Sequence, residues 1–420
     1  MRVCFLLPGL SPSGGTATVV GHARRLAASG DFEPELVVTR GAAVAHPAAP
    51  GVPVRTLADA ALEAYDVAVA TWWETAAALY ELRATRRCVF LQSIEHRFYE
   101  DAELFERQGA ASVLGLPVDF IAVAPWMRAL LTELRPGVRC HVVPNGIDKA
   151  VFGARPRPAS GAPLRVLVEG QPSLWFKGVQ DAIRCVRAMR EPHELTVACL
   201  DPTETAGLDA DRVVGGLAPD GMASLYADTD VLVKLARVEG LGLAPLEAFH
   251  MGVPCVVTPY TGHEEYLVHG ENGLVTGFDD QPGTSARLDL LARDRELLGR
   301  LSAGALATAA AWPAADDSSQ SMVRALSAIA TAAPAEESGL ALLHRTLAFS
   351  AAMGRVRLGV GDWAASRVGE LDEAYTQMSA SRDECAHLLS SAEAKIEEIT
   401  GSKGYRALAA SRRLADRVRR

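Results

Sequence analysis

Residues 239–258 read Glu239-Gly240-Leu241-Gly242-Leu243-Ala244-Pro245-Leu246-Glu247-Ala248-Phe249-His250-Met251-Gly252-Val253-Pro254-Cys255-Val256-Val257-Thr258. Two glutamates, Glu239 and Glu247, stand eight positions apart across a loop that enters a helix. The glycines beside Glu239 let backbone approach a ligand closely. The helix N-terminus offers N–H groups without intrahelical partners and the positive end of the helix dipole, which suit a diphosphate. A carboxylate accepts hydrogen bonds from paired hydroxyls, so each glutamate is suited to a sugar or ribose diol. The apolar strand that follows puts the group at the carboxyl edge of a sheet, where α/β proteins bind ligands.

Outward from this stretch, short apolar runs alternate with amphipathic ones, the pattern of a parallel α/β sheet. Strands are expected at 3–7, 35–39, 66–71, 87–92, 120–123 and 140–143, with helices over 16–29, 74–83, 98–112 and 125–134. Pro144-Asn145-Gly146-Ile147-Asp148 breaks the pattern, and the Arg/Pro/Ala run 155–163 reads as a linker. Alternation restarts with strands at 164–168, 195–200, 230–235 and 254–258 and helices near 179–190 and 243–251. Alanine-rich helices run on to about 330. The expected organisation is a first Rossmann-like domain over 1–148, a second over 149–330 and a helical extension over 331–420. In the extension Leu371, Met378, Cys385, Ala392 and Ile399 recur every seven residues. They form either a weak coiled-coil seam, which would make 364–399 a homo-oligomer contact, or one amphipathic helix laid on the body.

The chain has 420 residues, 49% hydrophobic and 22% charged, so wholesale disorder is excluded. Its net charge of −9 argues against a nucleic-acid partner, which needs a basic face. The charge is segregated. Residues 401–420 carry Lys403, Arg406, Arg412, Arg413, Arg417, Arg419 and Arg420 against Asp416 alone, and the remainder is correspondingly more acidic. Basic residues around Tyr405, Leu408, Ala415 and Val418 suit either an anionic membrane surface or a solvated helix. The seven cysteines, at 4, 88, 140, 185, 199, 255 and 385, show no CxxC or zinc spacing, and several sit in apolar runs. Buried free thiols in a reducing compartment are expected. The start has no secretory-signal pattern and no apolar run spans a bilayer. The expected location is cytoplasmic, with the basic segment allowing peripheral contact with the inner face of the plasma membrane.

The 239–258 stretch resembles the retaining glycosyltransferases of family 4, whose hallmark is Glu, seven residues, Glu, in the setting Glu-Gly-x-Gly-Leu-x-x-Leu-Glu-Ala-x-x-x-Gly-x-Pro-Val, here with Cys255 in place of the first Val. The resemblance implies the GT-B fold, two facing Rossmann-like domains. It implies that Glu239 contacts the donor sugar, that Glu247 holds the nucleotide ribose, and that backbone at Leu241, Gly242 and Leu243 meets the sugar and diphosphate. Gly14-Gly15 sits after the first strand like the family's diglycine loop, and residues 144–148 with Phe152 match its domain-crossing segment. Lys177-Gly178 matches its Lys-Gly, where the lysine pairs with the diphosphate. The family usually has an arginine shortly before that lysine. Here Gln171 stands in the arginine's place, and a neutral amide cannot neutralise a diphosphate. Lys234 and Arg237 are nearby in the chain and are candidates to compensate.

His96, in Gln92-Ser93-Ile94-Glu95-His96-Arg97-Phe98-Tyr99, lies where many family members carry an active-site histidine, and the string is similar to one in surface-polysaccharide and rhamnosyl transferases. On that reading His96 meets the donor sugar and Glu95 the acceptor hydroxyl. Of Trp72 and Trp73, which point to opposite sides, one belongs to the core and the other is placed to stack on an acceptor sugar, Trp73 being the expected one. The implied activity is transfer of a sugar, with retention, from a nucleoside-diphosphate sugar to a glycan or lipid-linked acceptor. It needs no metal and no cofactor beyond that co-substrate. A non-catalytic glycan-binding subunit with the same fold is the alternative. A sugar-nucleotide epimerase fits the Glu239–Glu247 setting less well, and a plain dinucleotide enzyme lacks G-x-G-x-x-G after its first strand.

Overall fold

A computed structural model describes residues 1–153 and 163–333, with positions 347, 390, 391, 394 and 395 beyond them. The 155–163 linker (all but Pro163), the heptad seam and the basic 401–420 segment lie outside the described residues. The chain divides into a unit over Met1–Ala352 and a second over Met353–Arg420, of which only 390–391 and 394–395 are described, as helix.

The first unit contains two parallel sheets. Strands β1 (Arg2–Leu7), β2 (Glu33–Val38), β3 (Val54–Thr56), β4 (Ala64–Ala70), β5 (Arg83–Leu91), β6 (Asp119–Ala122) and β7 (Cys140–Val142) form the first, in the order β3-β2-β1-β4-β5-β6-β7. Strands β8 (Leu164–Glu169), β9 (His193–Cys199), β10 (Arg212–Gly215), β11 (Val231–Lys234), β12 (Cys255–Val257) and β13 (Gly273–Val275) form the second, in the order β10-β9-β8-β11-β12-β13. Every pairing is parallel. Strand order reverses between β1 and β4 and between β8 and β11. These reversals open the crevices in which doubly wound sheets bind ligands.

Helices α1 (Gly14–Ser29), α2 (Leu57–Ala60), α3 (Trp73–Ala78), α4 (Leu104–Val113) and α5 (Pro125–Leu134) belong to the first domain. Helices α6 (Val179–Arg187), α7 (Pro219–Ala227), α8 (Leu243–His250), α9 (Gln281–Arg293) and α10 (Arg295–Ala311) belong to the second. Local chemistry sets their ends. Ser13 caps α1 by accepting from the Thr16 N–H at 3.0 Å, and Gly30 closes it in the left-handed region. Pro125 opens α5, where its missing N–H has no intrahelical partner to lose. The central strands are buried on both faces, so they read as continuous apolar runs such as Val3–Leu7.

One element departs from the expected boundaries. Helix α11 (Ala315–Thr331) was assigned with the second domain by its place in the sequence, yet it packs on α1, β4, β5 and β7 of the first. Its buried face, Met322, Ala325, Leu326 and Ile329, joins the apolar cluster of the first sheet. The chain therefore crosses between domains twice, and the crossings are tied together. Ile147 donates to the Pro313 carbonyl at 3.1 Å, Ala315 donates to the Ile147 carbonyl at 3.0 Å, and Trp312 Nε1 donates to the Asn145 carbonyl at 2.9 Å. The short strands β3, β10 and β13, only three or four residues each, carry too few alternating positions to stand out in the sequence. Among the described residues no helix is long and apolar enough to cross a membrane.

Candidate active site

The second domain gathers three carboxylates and two ammonium groups where β8 meets β11. Their parallel register puts Val168 beside Val233, so Glu169 and Lys234 are the next residues on the two strands. Lys234 Nζ lies 2.5 Å from Glu169 Oε2 and 3.1 Å from the Glu169 carbonyl. Lys177, at the end of a 3-10 turn over Trp175–Lys177, places Nζ 2.8 Å from Glu239 Oε1. Lys234 Nζ stands 3.6 Å from the same oxygen. Burial pushes the Glu239 carboxyl up, but the two ammonium groups outweigh it and hold Glu239 below its ordinary range. Burial likewise opposes the charge on Lys234, and Glu169 and Glu239 restore it, leaving its pKa raised.

Glu247 lies on α8, one turn in from its N-terminus. Tyr226 Oη of α7 donates to Glu247 Oε2 at 3.4 Å. Burial, reinforced by the Glu169 carboxylate, pushes Glu247 up to about 8. Gly242 starts α8 with φ +87, a conformation that favours glycine, and a Cβ there would lie 2.8 Å from Tyr260 Oη and 2.9 Å from Tyr266 Oη. Those two hydroxyls are 2.7 Å apart, and Tyr266 donates to the Gly242 carbonyl at 3.3 Å. The first-turn N–H groups of Leu243 and Ala244 have no partner within the helix. The Leu241 side chain is core.

The first domain closes against this loop. A Cβ on Gly14 would stand 3.9 Å from Leu243 Cδ1, and one on Gly15 would stand 3.3 Å from Gln92 Nε2, so the diglycine at the start of α1 faces the start of α8. Two helix N-termini thus converge, and each favours negative charge. A Cβ on Gly240 would fall 1.9 Å from the Gln92 carbonyl oxygen, so only glycine permits this approach. Trp126 Nε1 donates to the Gly240 carbonyl at 2.9 Å. Arg97 donates to Thr261 Oγ1 at 2.7 Å, and Phe98 stacks on Phe176 with centroids 4.7 Å apart.

The structure thus brings Lys177, Glu239, Glu247, Leu241, Gly242, Leu243, Gly14 and Gly15 together, and it places four other expected residues differently. Trp73 is 2% exposed and donates from Nε1 to Tyr99 Oη at 2.7 Å, so it is the core member of the pair and offers no face to a sugar. Trp72 is the half-buried one, stacked on Phe98 at 6.0 Å. Glu95 is buried and accepts from the Trp73 N–H at 2.6 Å. Burial pushes its pKa up to about 8 against that hydrogen bond, and its carboxyl is engaged by the Trp73 backbone rather than facing an acceptor hydroxyl. His96 lines a small cavity with Trp73, Leu91, Glu95 and Ala110, away from Glu239. Its Nδ1 has no hydrogen-bond partner there, and burial, with Arg107 and Arg97 nearby, lowers its pKa. Gln171 accepts from the Asp201 N–H at 3.1 Å and is engaged by that loop. Of the two candidate cations, Lys234 is in the cluster, whereas Arg237 pairs with Asp279 and Asp181 on the α6 side. Sequence reasoning missed Glu169, Tyr226, Tyr260 and Tyr266. A carboxylate directly after the apolar run Val166–Val168 was the one signal available for Glu169.

Residues 203–307, which include Lys234, Glu239 and Glu247, match the family model of glycosyl transferases group 1. Over 87 residues the chain is 36% identical to N-acetyl-alpha-D-glucosaminyl L-malate synthase of Bacillus anthracis, covering 21% of this chain and 23% of that protein. Over 172 residues it is 33% identical to glycogen synthase of Mycobacterium tuberculosis, covering 37% and 41%. The chain thus spans less than half the length of these curated relatives. Among solved structures it is similar to sucrose-phosphate synthase from Thermosynechococcus elongatus, with a TM-score of 0.66, 15% identity, and coverage of 77% of this chain and 97% of that one. It is also similar to HepE of Anabaena, solved in complex with UDP-glucose, with a TM-score of 0.65, 17% identity, and coverage of 78% and 100%. The fold is the two-domain GT-B fold of glycosyltransferases.

Proposed function

We propose that this chain is a retaining glycosyltransferase that moves a sugar from a nucleoside-diphosphate sugar to a glycan or lipid-linked acceptor in glycoconjugate assembly. The observation that carries the reading is the meeting of Lys177, Glu239 and Glu247 with the N-terminus of α8, opposite Gly14-Gly15. In this reading Glu247 accepts hydrogen bonds from ribose hydroxyls and Glu239 from the sugar. The Lys177 ammonium and the first-turn amides of α8 face the diphosphate. As the bond from the anomeric carbon to the phosphate oxygen breaks, that oxygen gains charge, and preorganised donors stabilise it there. The acceptor oxygen bonds to the same face of the carbon, and its proton passes to the leaving phosphate. The protein supplies charge stabilisation and alignment of the acceptor.

The similarity to HepE, whose structure holds UDP-glucose, supports a nucleotide sugar as the donor. The basic 401–420 segment is proposed as an address for an anionic surface at which a lipid-linked acceptor resides. One observation favours the non-catalytic alternative: Gln171, in place of an arginine, is occupied by Asp201. Thermal melting with a panel of uridine, guanosine, adenosine and deoxythymidine diphosphate sugars, followed by product NMR, tests the proposal. Protection by one donor and an anomeric configuration retained in the product support it. No protection by any donor removes the transferase reading and favours the non-catalytic glycan-binding subunit.

A further inference from the structure

The same glutamate oxygen is contacted by two lysines of different kinds. Lys177 is 23% exposed and sits at 2.8 Å, whereas Lys234 is 3% exposed and sits at 3.6 Å. Lys234 cannot travel. It is fixed at the β8–β11 switch point by two contacts to Glu169, one to the carboxylate and one to the main-chain carbonyl. Lys177 ends a short turn and is the more exposed of the two. A lone Lys177 would face two demands, since a largely buried Glu239 needs a cation beside it and a diphosphate needs one too. Gln171 cannot supply the second charge, being neutral and bound to Asp201.

We propose that Lys234 is a positioning residue that holds Glu239 charged and in place, so that Lys177 is released to the diphosphate of the donor. The idea rests on the proposed transferase site and adds a division of labour. The buried pair Glu169–Lys234 is the fixed counter-charge, and Lys177 is the mobile one.

The test uses Lys234→Met, Glu239→Gln and the double variant, with UDP and GDP titrated calorimetrically. Without Lys234, Lys177 stays on Glu239, and affinity for whichever nucleotide binds the wild type falls about tenfold or more. Adding Glu239→Gln frees Lys177, so the double variant binds within about threefold of Glu239→Gln alone. A purely structural role for Lys234 would not be rescued by a second lesion beside it. A second readout needs no ligand. Acetylation of Lys177 by acetic anhydride, read by peptide mass spectrometry, falls in Lys234→Met and returns in the double variant. Unchanged affinity and labelling in Lys234→Met, or no rescue, overturn the proposal. If Lys234→Met does not fold, Glu169→Gln with Lys234→Gln keeps a hydrogen-bonded amide pair without charge and is expected to show the same losses. If neither nucleotide binds the wild type, ADP and dTDP are titrated in the same way; if none of the four binds, the nucleotide-site reading fails, and the labelling still decides the role of Lys234.

Discussion

Lys177 and Glu239 form an ion pair at 2.8 Å across 62 positions of sequence. The pair joins the 3-10 turn before α6 to the loop before α8, beyond the carboxyl ends of the paired strands β8 and β11.

Glu247 gives the site a pH signature. Its carboxyl has a folded pKa of about 8 against an ordinary 4.5. Between those values the folded state holds a proton that the unfolded chain has released, so this contribution to stability falls as pH rises through the window and levels off above it. Glu95 acts in the same direction. Glu247→Gln is expected to melt about 2–4 °C or more above wild type at pH 8.5 and level with it at pH 4.5, as read by calorimetry. The variant also loses the pH-dependent part of nucleotide-sugar affinity, which in wild type strengthens as Glu247 ionises.

The adjacent tryptophans separate stability from recognition. Trp73→Ala removes a fully packed indole and is expected to cost about 3–5 kcal/mol in urea unfolding. Trp72→Ala costs distinctly less. Trp72→Ala is expected to raise acceptor KM, read in transfer assays, while donor binding stays level.

Gly240 meets the Gln92 carbonyl so closely that a methyl group cannot be accommodated without moving backbone. Gly240→Ala should therefore part the domains while leaving each folded. Circular dichroism stays unchanged, the radius of gyration from X-ray scattering rises, and transfer falls about tenfold or more, since small misplacements at a reacting centre are costly.

Deleting 401–420 removes seven basic residues and one acid. Activity on a soluble acceptor should persist. Recovery on vesicles containing anionic lipid should drop at low salt and match the full chain at high salt, where screening erases the difference. Equal recovery at low salt would reduce the segment to a solvated tail.

Much of this architecture could be read from residues. The apolar runs that became β1, β8, β11 and β12 are buried on both faces and therefore conspicuous. The Glu239–Glu247 spacing places one glutamate just before and the other one turn into helix α8. What escaped depends on contacts between distant segments. Nothing local marks α11 as returning to the first sheet, since its amphipathic face fits either domain. Nor does anything local say which of Trp72 and Trp73 turns inward, because that is fixed by Tyr99. The role of His96 was transferred by position in a loop. The 3-10 turn over Glu95–Phe98 instead sends its ring under α4 and presents Arg97 and Phe98 to the second domain. Glu169 became visible only through its strand neighbour Lys234.

The central claim is that the Lys177–Glu239 pair opens to receive a donor diphosphate. Its most direct test is titration of the donor that protects wild type against Lys177→Met, with transfer rates measured on the same samples. Lys177→Met is expected to keep the wild-type melting profile, bind the donor at least tenfold more weakly and lose about 10²–10³ in turnover. A folded Lys177→Met protein with wild-type donor affinity and wild-type transfer would contradict it.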